Sequence, residues 1–504
     1  LNPLRKLAGQ TAIYGLSSIV GRLLNYLLVP LHTRVFAPEQ FGIVTEMYSY
    51  VAFLLIVLTY GFETAFFRFA AEAEDRPKVY ATTLISMLVS STLFFAFCLS
   101  FSHPIAELIK YPNESEYVIW FALILATDAI TAIPFAKLRL ENRPLRFAFV
   151  RLVNIGINIL LNLFFLALCP YLVKNGSPGV KDLITTIYNP EIGVGYVFIA
   201  NLIASVFTFL MLIPEMWKTT QGFQWGLWKK MMNYSFPLLI GGLAGITNEM
   251  FSRVSLKYQL PESIAMHELG IFGACYKVAI LMTIFIQTFR FAAEPFFFAQ
   301  AKEKNAKLLY AEVMNWFVIA CTAIFLGVVL FMNVVKYFIG EAFWGGLVIV
   351  PVLLMANLFL GVFFNLSIWF KLNDKTYLGA WLAIFGSLLT IGLNYFLIPV
   401  YGYVGASWAT LLVYFLMMVV SYLLGQRYYP INYNLKKIIG YPAVAVIIYL
   451  VWNYLATRHF INDEAILSWV LKCLILLCFV GVVYLLEVKK KRVISALKTP
   501  NSNQ

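Results

Sequence analysis

Charge is what this chain has least of. Only 12% of its 504 residues are Asp, Glu, Lys or Arg, half of the roughly 25% usual in soluble domains, and a large water-soluble protein is thereby excluded. Histidine is scarce as well: His32, His103, His267 and His459 are scattered, mostly at predicted loops, and no HExxH occurs. The six cysteines (Cys98, Cys169, Cys275, Cys321, Cys473, Cys478) form no CxxC and read as small packing residues rather than disulfides or metal ligands. There is no Walker lysine loop and no G-x-S-x-G turn, so neither nucleotide hydrolysis nor serine-nucleophile chemistry is expected. The chain is read as a non-enzyme without a cofactor. Its net charge of +13 is spread over short loops instead of forming one patch, which argues against a nucleic-acid partner.

What is present is hydrophobicity. Apolar residues make up 61% of the chain and the mean hydropathy is +0.79. Repeated apolar runs of about 20 residues predict an all-α polytopic membrane protein, because in hydrocarbon a backbone must satisfy its own polar groups. Fourteen spans are predicted, among them 9–35, 41–62, 149–170, 232–258, 269–292, 376–398, 402–424, 438–456 and 467–487. Arg5 and Lys6 lead into the first without a small-residue cleavage motif, so no cleavable signal peptide is expected. Loops and tails on the amino-terminal side carry 24 Lys and Arg, the other side 5. That bias places both termini in the cytoplasm.

The chain also repeats itself. Asn25 and Pro38 stand thirteen apart, as do Asn248 and Pro261, at an offset of 223, under which Arg34 corresponds to Lys257. FGIV at 41–44 answers LGIF at 269–272, and LLNLFFL at 160–166 answers GLNYFLI at 392–398. Two pseudo-symmetric six-helix lobes are expected, 1–215 (spans 1 to 6) and 216–430 (spans 7 to 12), followed by 431–504 with spans 13 and 14 and a basic cytoplasmic tail. Parallel repeats of this kind suit alternating access around a central site.

Ionisable residues inside spans are functional candidates by default. Nine basic residues and six acids lie within or at the ends of the spans, so the interior leans cationic. Arg22 shares a face with Asn25 and Tyr26 on the first span, and Glu249, Arg253 and Lys257 follow at i, i+4 and i+8 on the seventh. Arg22, Arg253, Lys257 and Lys277 are candidate anion contacts, with Lys257 expected to be unneutralised and Glu249 placed to hold Arg253. Arg151, Asn154, Asn158 and Asn162 form a polar stripe that either lines a sugar path or glues helices together. Asp128 is the best-placed acid for H+ or Na+ coupling, with Glu46 and Glu312 behind it, although it could equally neutralise a nearby arginine. Arg290 could form an inner gate with Glu294 or Glu63.

The opening from NPLRKLAGQ to the second span, especially Gly15 to Gly42 with Pro30, Phe36 and FG at 41–42, and LNYFLIPVYGYVGASWAT at 393–410 resemble Wzx-type polysaccharide-unit flippases of the multidrug/oligosaccharidyl-lipid/polysaccharide (MOP) exporter superfamily. The resemblance spans helices one to twelve. It implies a MATE-like, V-shaped, two-lobed cavity in the bacterial inner membrane. The cargo it implies is undecaprenyl-pyrophosphate-linked oligosaccharide, as for O-antigen, capsule or other lipopolysaccharide-related glycans, moved from the cytoplasmic to the periplasmic leaflet. Arg22, Arg253 and Lys277 would then meet pyrophosphate, and a glycan polymerase and other assembly proteins would be partners. The alternatives are a lipid II-type flippase, an ion-coupled multidrug exporter, which the cationic interior disfavours, and a membrane scaffold for glycan-assembly enzymes.

Overall fold

The computed structural model describes residues 20–489 apart from 22, 72–75, 218–220, 302, 304, 374, 459, 461 and 464, and apart from the side chains of 292, 294, 295, 299, 488 and 489. Among the described residues there are helices and no strand. In chain order the main elements are α1 (Leu28–Val35), α2 (Pro38–Thr59), α3 (Phe62–Phe69), α4 (Arg76–Ser100), α5 (Ser102–Leu108), α6 (Ser115–Leu140), α7 (Pro144–Leu163) and α8 (Gly195–Trp217). They continue with α9 (Trp225–Gln259), α10 (Glu262–Val278), α11 (Ile280–Gln300), α12 (Ala306–Leu330), α13 (Val350–Leu366), α14 (Thr376–Tyr428), α15 (Leu435–Thr457) and α16 (Ile466–Val483). Residues 1–277 with 377–409 form one compact unit, and 278–376 with 410–504 a second.

Local sequence explains most of the breaks. Pro38 and Pro144 begin α2 and α7, where a helix has an amide to spare and a fixed φ helps. Asn142 takes the left-handed conformation at φ 53° between α6 and α7, a region Asn tolerates better than most residues. Ahead of Pro170 the helix widens into a π turn at Phe164–Leu168, with the Cys169 amide donating to the Phe164 carbonyl; proline cannot supply the next regular i to i−4 bond. In the first unit the most buried helix is α6, with α4, α8 and α7 around it. Phe62, Phe66, Met87, Ile133 and Met231 form one of its cores.

Among the described residues, eleven helices are long and apolar enough to cross a bilayer, against the fourteen spans expected. Four of the expected spans account for the difference. The first, 9–35, lies outside the described residues over 9–19 and at 22. The seventh is the 35-residue α9, an intact helix whose Lys229, Lys230, Glu249, Arg253 and Lys257 lower its hydropathy. The eleventh and twelfth run together as the 53-residue α14, broken only by Gly402 at φ 53°. A side chain there would meet the Glu268 carboxylate, which accepts the Tyr403 amide at 2.9 Å.

The segments paired by the repeat touch one another. Gly42 of α2 lies against the Met266 carbonyl, and Gly270 of α10 against the Pro38 carbonyl; these two contacts exchange under the offset of 228. Gly273 against Thr45, and His267 paired with Glu39 at 2.8 Å, each join a residue to its own repeat partner. This is a local twofold crossing, made close by small residues as in other membrane helix pairs. A second contact recurs as well. Asn158 donates to Asn25 at 3.4 Å, and their repeat counterparts Thr390 and Asn248 are joined at 3.2 Å.

Gly270→Ala forces a methyl group onto the Pro38 carbonyl and is expected to destabilise the fold by about 1–3 kcal/mol. Gly226→Ala, where a Cβ meets nothing, is expected not to lower stability. Size-exclusion recovery after graded heating compares the two.

Candidate functional site

A polar cavity of about 310 Å³ opens inside the first unit, lined from α1, α2, α7, α8, α9 and α10. Helical spacing delivers its side chains. Asn158 and Asn162 lie one turn apart on α7, Met250 and Arg253 on α9, and Gly273 and Lys277 on α10, each pair presenting one face. Tyr48 and Asn201 complete the polar wall.

Among the described residues, neither of its two cations has a carboxylate in salt-bridge contact. Arg253 is buried; one nitrogen, Nη1, donates to the Glu249 carbonyl at 2.6 Å and approaches Met250 Sδ at 2.9 Å, and the guanidinium lies 4.5 Å from the Tyr276 ring centroid. Glu249 therefore holds Arg253 through its backbone, while its carboxylate is in an exposed position. Lys277 is half-buried, and among the described residues it has no hydrogen bond or ion pair. Arg253 acts on it as a neighbouring like charge and Glu249 as the opposing one. Two cations on the wall of one cavity can together pair with an anion.

A chain of amides flanks them. His32 and Asn162 are buried and meet at 2.8 Å. Asn162 Nδ2 donates to the Asn158 carbonyl and side-chain oxygen at 2.8 and 3.1 Å, and Asn158 donates to Asn25. With the amides oriented this way, His32 carries its proton on Nε2. The expected asparagine stripe thus divides by role. Asn158 faces the cavity and Asn162 braces it, whereas Asn154 donates to Thr208 of α8 at 2.9 Å and joins helices.

Lys257 is not the unneutralised cation it was expected to be. It is buried, its Nζ donates to Glu46 Oε1 at 2.7 Å and to the Ile109 carbonyl at 2.6 Å, and it lies 4.0 Å from the Tyr111 ring centroid. Glu46 is fully buried and also accepts from the hydroxyls of Tyr50 and Tyr111. Its charge and lone pairs are accounted for, and so is Lys257.

The remaining candidates lie elsewhere. Arg151 stacks over Phe135 at 4.2 Å with Asp128 as its opposing charge, and Asp128 accepts from Ser205. Glu63 is paired with Arg139 at 2.5 Å. Arg290, in the second unit, lies over Phe364 at 4.4 Å. Arg22 and the Glu294 side chain lie outside the described residues. Sequence reasoning missed His32, Tyr48 and Asn201 as cavity residues. His32 was within reach, since it lies seven residues beyond Asn25 and hence on the same helical face.

This helical architecture is shared with known membrane transporters. The lipid II flippase MurJ, in an inward closed conformation, matches with a TM-score of 0.68 at 13% identity over 94% of this chain and 98% of that one. An inward-facing multidrug resistance MATE family transporter of the MOP superfamily matches at 0.62 with 17% identity, covering 83% and 94%. A variant of the Vibrio cholerae MATE transporter VcmN matches at 0.56 with 14% identity, covering 84% and 96%. The fold is that of the MOP-superfamily membrane transporters. The chain belongs to the polysaccharide biosynthesis protein family, whose profile matches residues 7–300. Among curated proteins no relative matches.

Lys277, with no hydrogen bond or ion pair among the described residues, costs folding free energy, because its ammonium is partly desolvated. Lys277→Met is therefore expected to raise stability, by about 1 kcal/mol or more, read as a higher unfolding midpoint of the purified protein in detergent.

Proposed function

We propose that the protein is a flippase that carries undecaprenyl-pyrophosphate-linked oligosaccharide repeat units from the cytoplasmic to the periplasmic leaflet of a bacterial inner membrane, with both termini in the cytoplasm. The observation that carries this reading is a pair of cations, Arg253 and Lys277, with no carboxylate in salt-bridge contact among the described residues, facing a polar cavity in a member of a polysaccharide biosynthesis family. A pyrophosphate supplies the missing negative charge, and Arg and Lys bind phosphate oxygens through charge-assisted hydrogen bonds. Beside them, Asn25, Asn158, Asn201 and Tyr48 offer donors and acceptors suited to the first sugar's hydroxyls. The cavity's 310 Å³ suits a pyrophosphate and its adjoining sugar better than a whole repeat unit. The remaining sugars extend beyond it.

The prenyl tail needs an apolar path. In the second unit, α15 and α16 enclose a groove of about 850 Å³ lined by Val444, Ile447, Val451, Leu474 and Phe479, with Lys436 at one end. Alternating access by the two repeat-related lobes, 1–215 and 216–430, moves the headgroup, and Asp128 is the proposed site at which an H+ or Na+ gradient would drive the cycle. Arg22, on the span that supplies Asn25, is a third phosphate contact in this reading. A lipid II-type cargo is the second reading, favoured by the extent of the MurJ match, which takes in nearly the whole of both chains.

Flipping of defined prenyl-pyrophosphate oligosaccharides in proteoliposomes tests the proposal, with lipid II as the competing substrate. Loss of one charged hydrogen bond, worth about 1.5–3 kcal/mol, is expected to slow flipping about tenfold or more in Arg22→Ala, Arg253→Ala and Lys277→Met. Unchanged flipping in correctly folded variants would make these residues structural.

A further inference from the structure

We propose that Glu46, Lys257, Tyr50 and Tyr111 form a releasable latch that holds together the outer end of the transport path, and that α9 must withdraw Lys257 from Glu46 for the substrate to leave. The inference rests on the two-lobe flippase reading above. The contacts of Lys257 with Glu46 and with the Ile109 carbonyl, and that of Tyr258 with Tyr50, join residues from before position 215 to residues after it. Glu46, Tyr50 and the Ile109–Tyr111 segment belong to the first repeat, Lys257 and Tyr258 to the second, and Tyr50 and Tyr258 share a hydrogen bond of 2.8 Å. Two further pairs ring the same end, Lys110 with Glu262 at 2.6 Å and Glu39 with His267 at 2.8 Å. All three lie towards the side whose loops carry few Lys and Arg, the outer side by the charge bias.

The three pairs differ in environment. Those at the rim are exposed and contribute little in water. Glu46–Lys257 is sealed, with side-chain exposures of 0% and 6%, and separating it without water or a replacement partner would strand a buried charge. The geometry provides the replacement. Tyr50 and Tyr111 lie on Glu46's own lobe and donate to both of its oxygens, so when Lys257 leaves, the carboxylate keeps two hydroxyl donors while outside water enters.

The twofold crossing does not require this latch. The position equivalent to Glu46 under the offset of 228 is Ala274, and the position equivalent to Lys257 under 223 is Arg34, which is exposed. One side of the axis alone carries a buried charge pair. Packing at Gly42 and Gly270 holds the lobes in register, and the single ion pair is the part that can be broken and remade.

The test uses the full chain with its six cysteines replaced and Asn25→Cys introduced as a reporter in the cavity wall. A membrane-impermeant maleimide applied from the outer face is expected to label it slowly. Glu46→Gln with Lys257→Met, which removes both charges together and leaves none stranded, is expected to label severalfold faster. Equal labelling in a variant that elutes as a folded monomer would overturn the latch. Independently, Lys110→Cys with Glu262→Cys, both at exposed positions, is joined by a thiol cross-linker across the rim. Cross-linking is expected to abolish outside labelling of the reporter in the unlatched background, and persistent fast labelling would also overturn the proposal. Neither measurement uses a glycolipid. A failed flipping assay with positive labelling results therefore rejects the cargo and leaves the latch standing.

Discussion

An ionised side chain in a hydrocarbon layer needs a counter-charge, water or a ligand, because the low dielectric that strengthens every electrostatic contact also makes an isolated charge expensive. The first unit meets this constraint in two ways. Around Lys257 it supplies everything: a carboxylate, a backbone carbonyl and an aromatic face. Around Lys277 and most of the Arg253 guanidinium it supplies a polar cavity and no carboxylate partner among the described residues. That contrast between two cationic positions twenty residues apart is what separates structure from site here. It is decided by one residue, Glu46, on a helix more than two hundred positions away in sequence.

The backbone packing that brings these groups together is itself ordered by the internal repeat. Small residues at Gly42 and Gly270 let α2 and α10 approach until carbonyl oxygens sit where a side chain would otherwise be, and at Gly273 the Thr45 side chain takes that space. The same register places Glu39 beside His267. Asn158 with Asn25, and Thr390 with Asn248, repeat one polar tie between corresponding helices. Polar ties in a membrane contribute modestly one at a time; two in equivalent places specify register as well as adding energy.

Residues visible as charges in an apolar run were easy to find and hard to rank. Arg253 and Lys277 stood out in the sequence because charge is so sparse, and both line the cavity. Lys257 stood out for the same reason, yet its partner lies 211 positions away, and helical periodicity carries no information at that range. Asn154 and Asn158 are neighbours on one stripe, but about 40° of difference around the helix sends one to Thr208 and the other to the cavity. His32, Tyr48 and Asn201 drew no attention because a lone polar residue in a helix reads as ordinary until its neighbours are known.

The sequence by itself determined the membrane class and the helical architecture. Hydrophobic length, loop charge and repeated motifs are local or periodic properties of the chain, and a bilayer acts on them directly. Only the tertiary structure decided which cations are neutralised, which amides brace the fold and where a cavity is left. Those outcomes depend on distances between helices remote in sequence, and a difference of a few ångströms turns a candidate ligand contact into half of a buried ion pair.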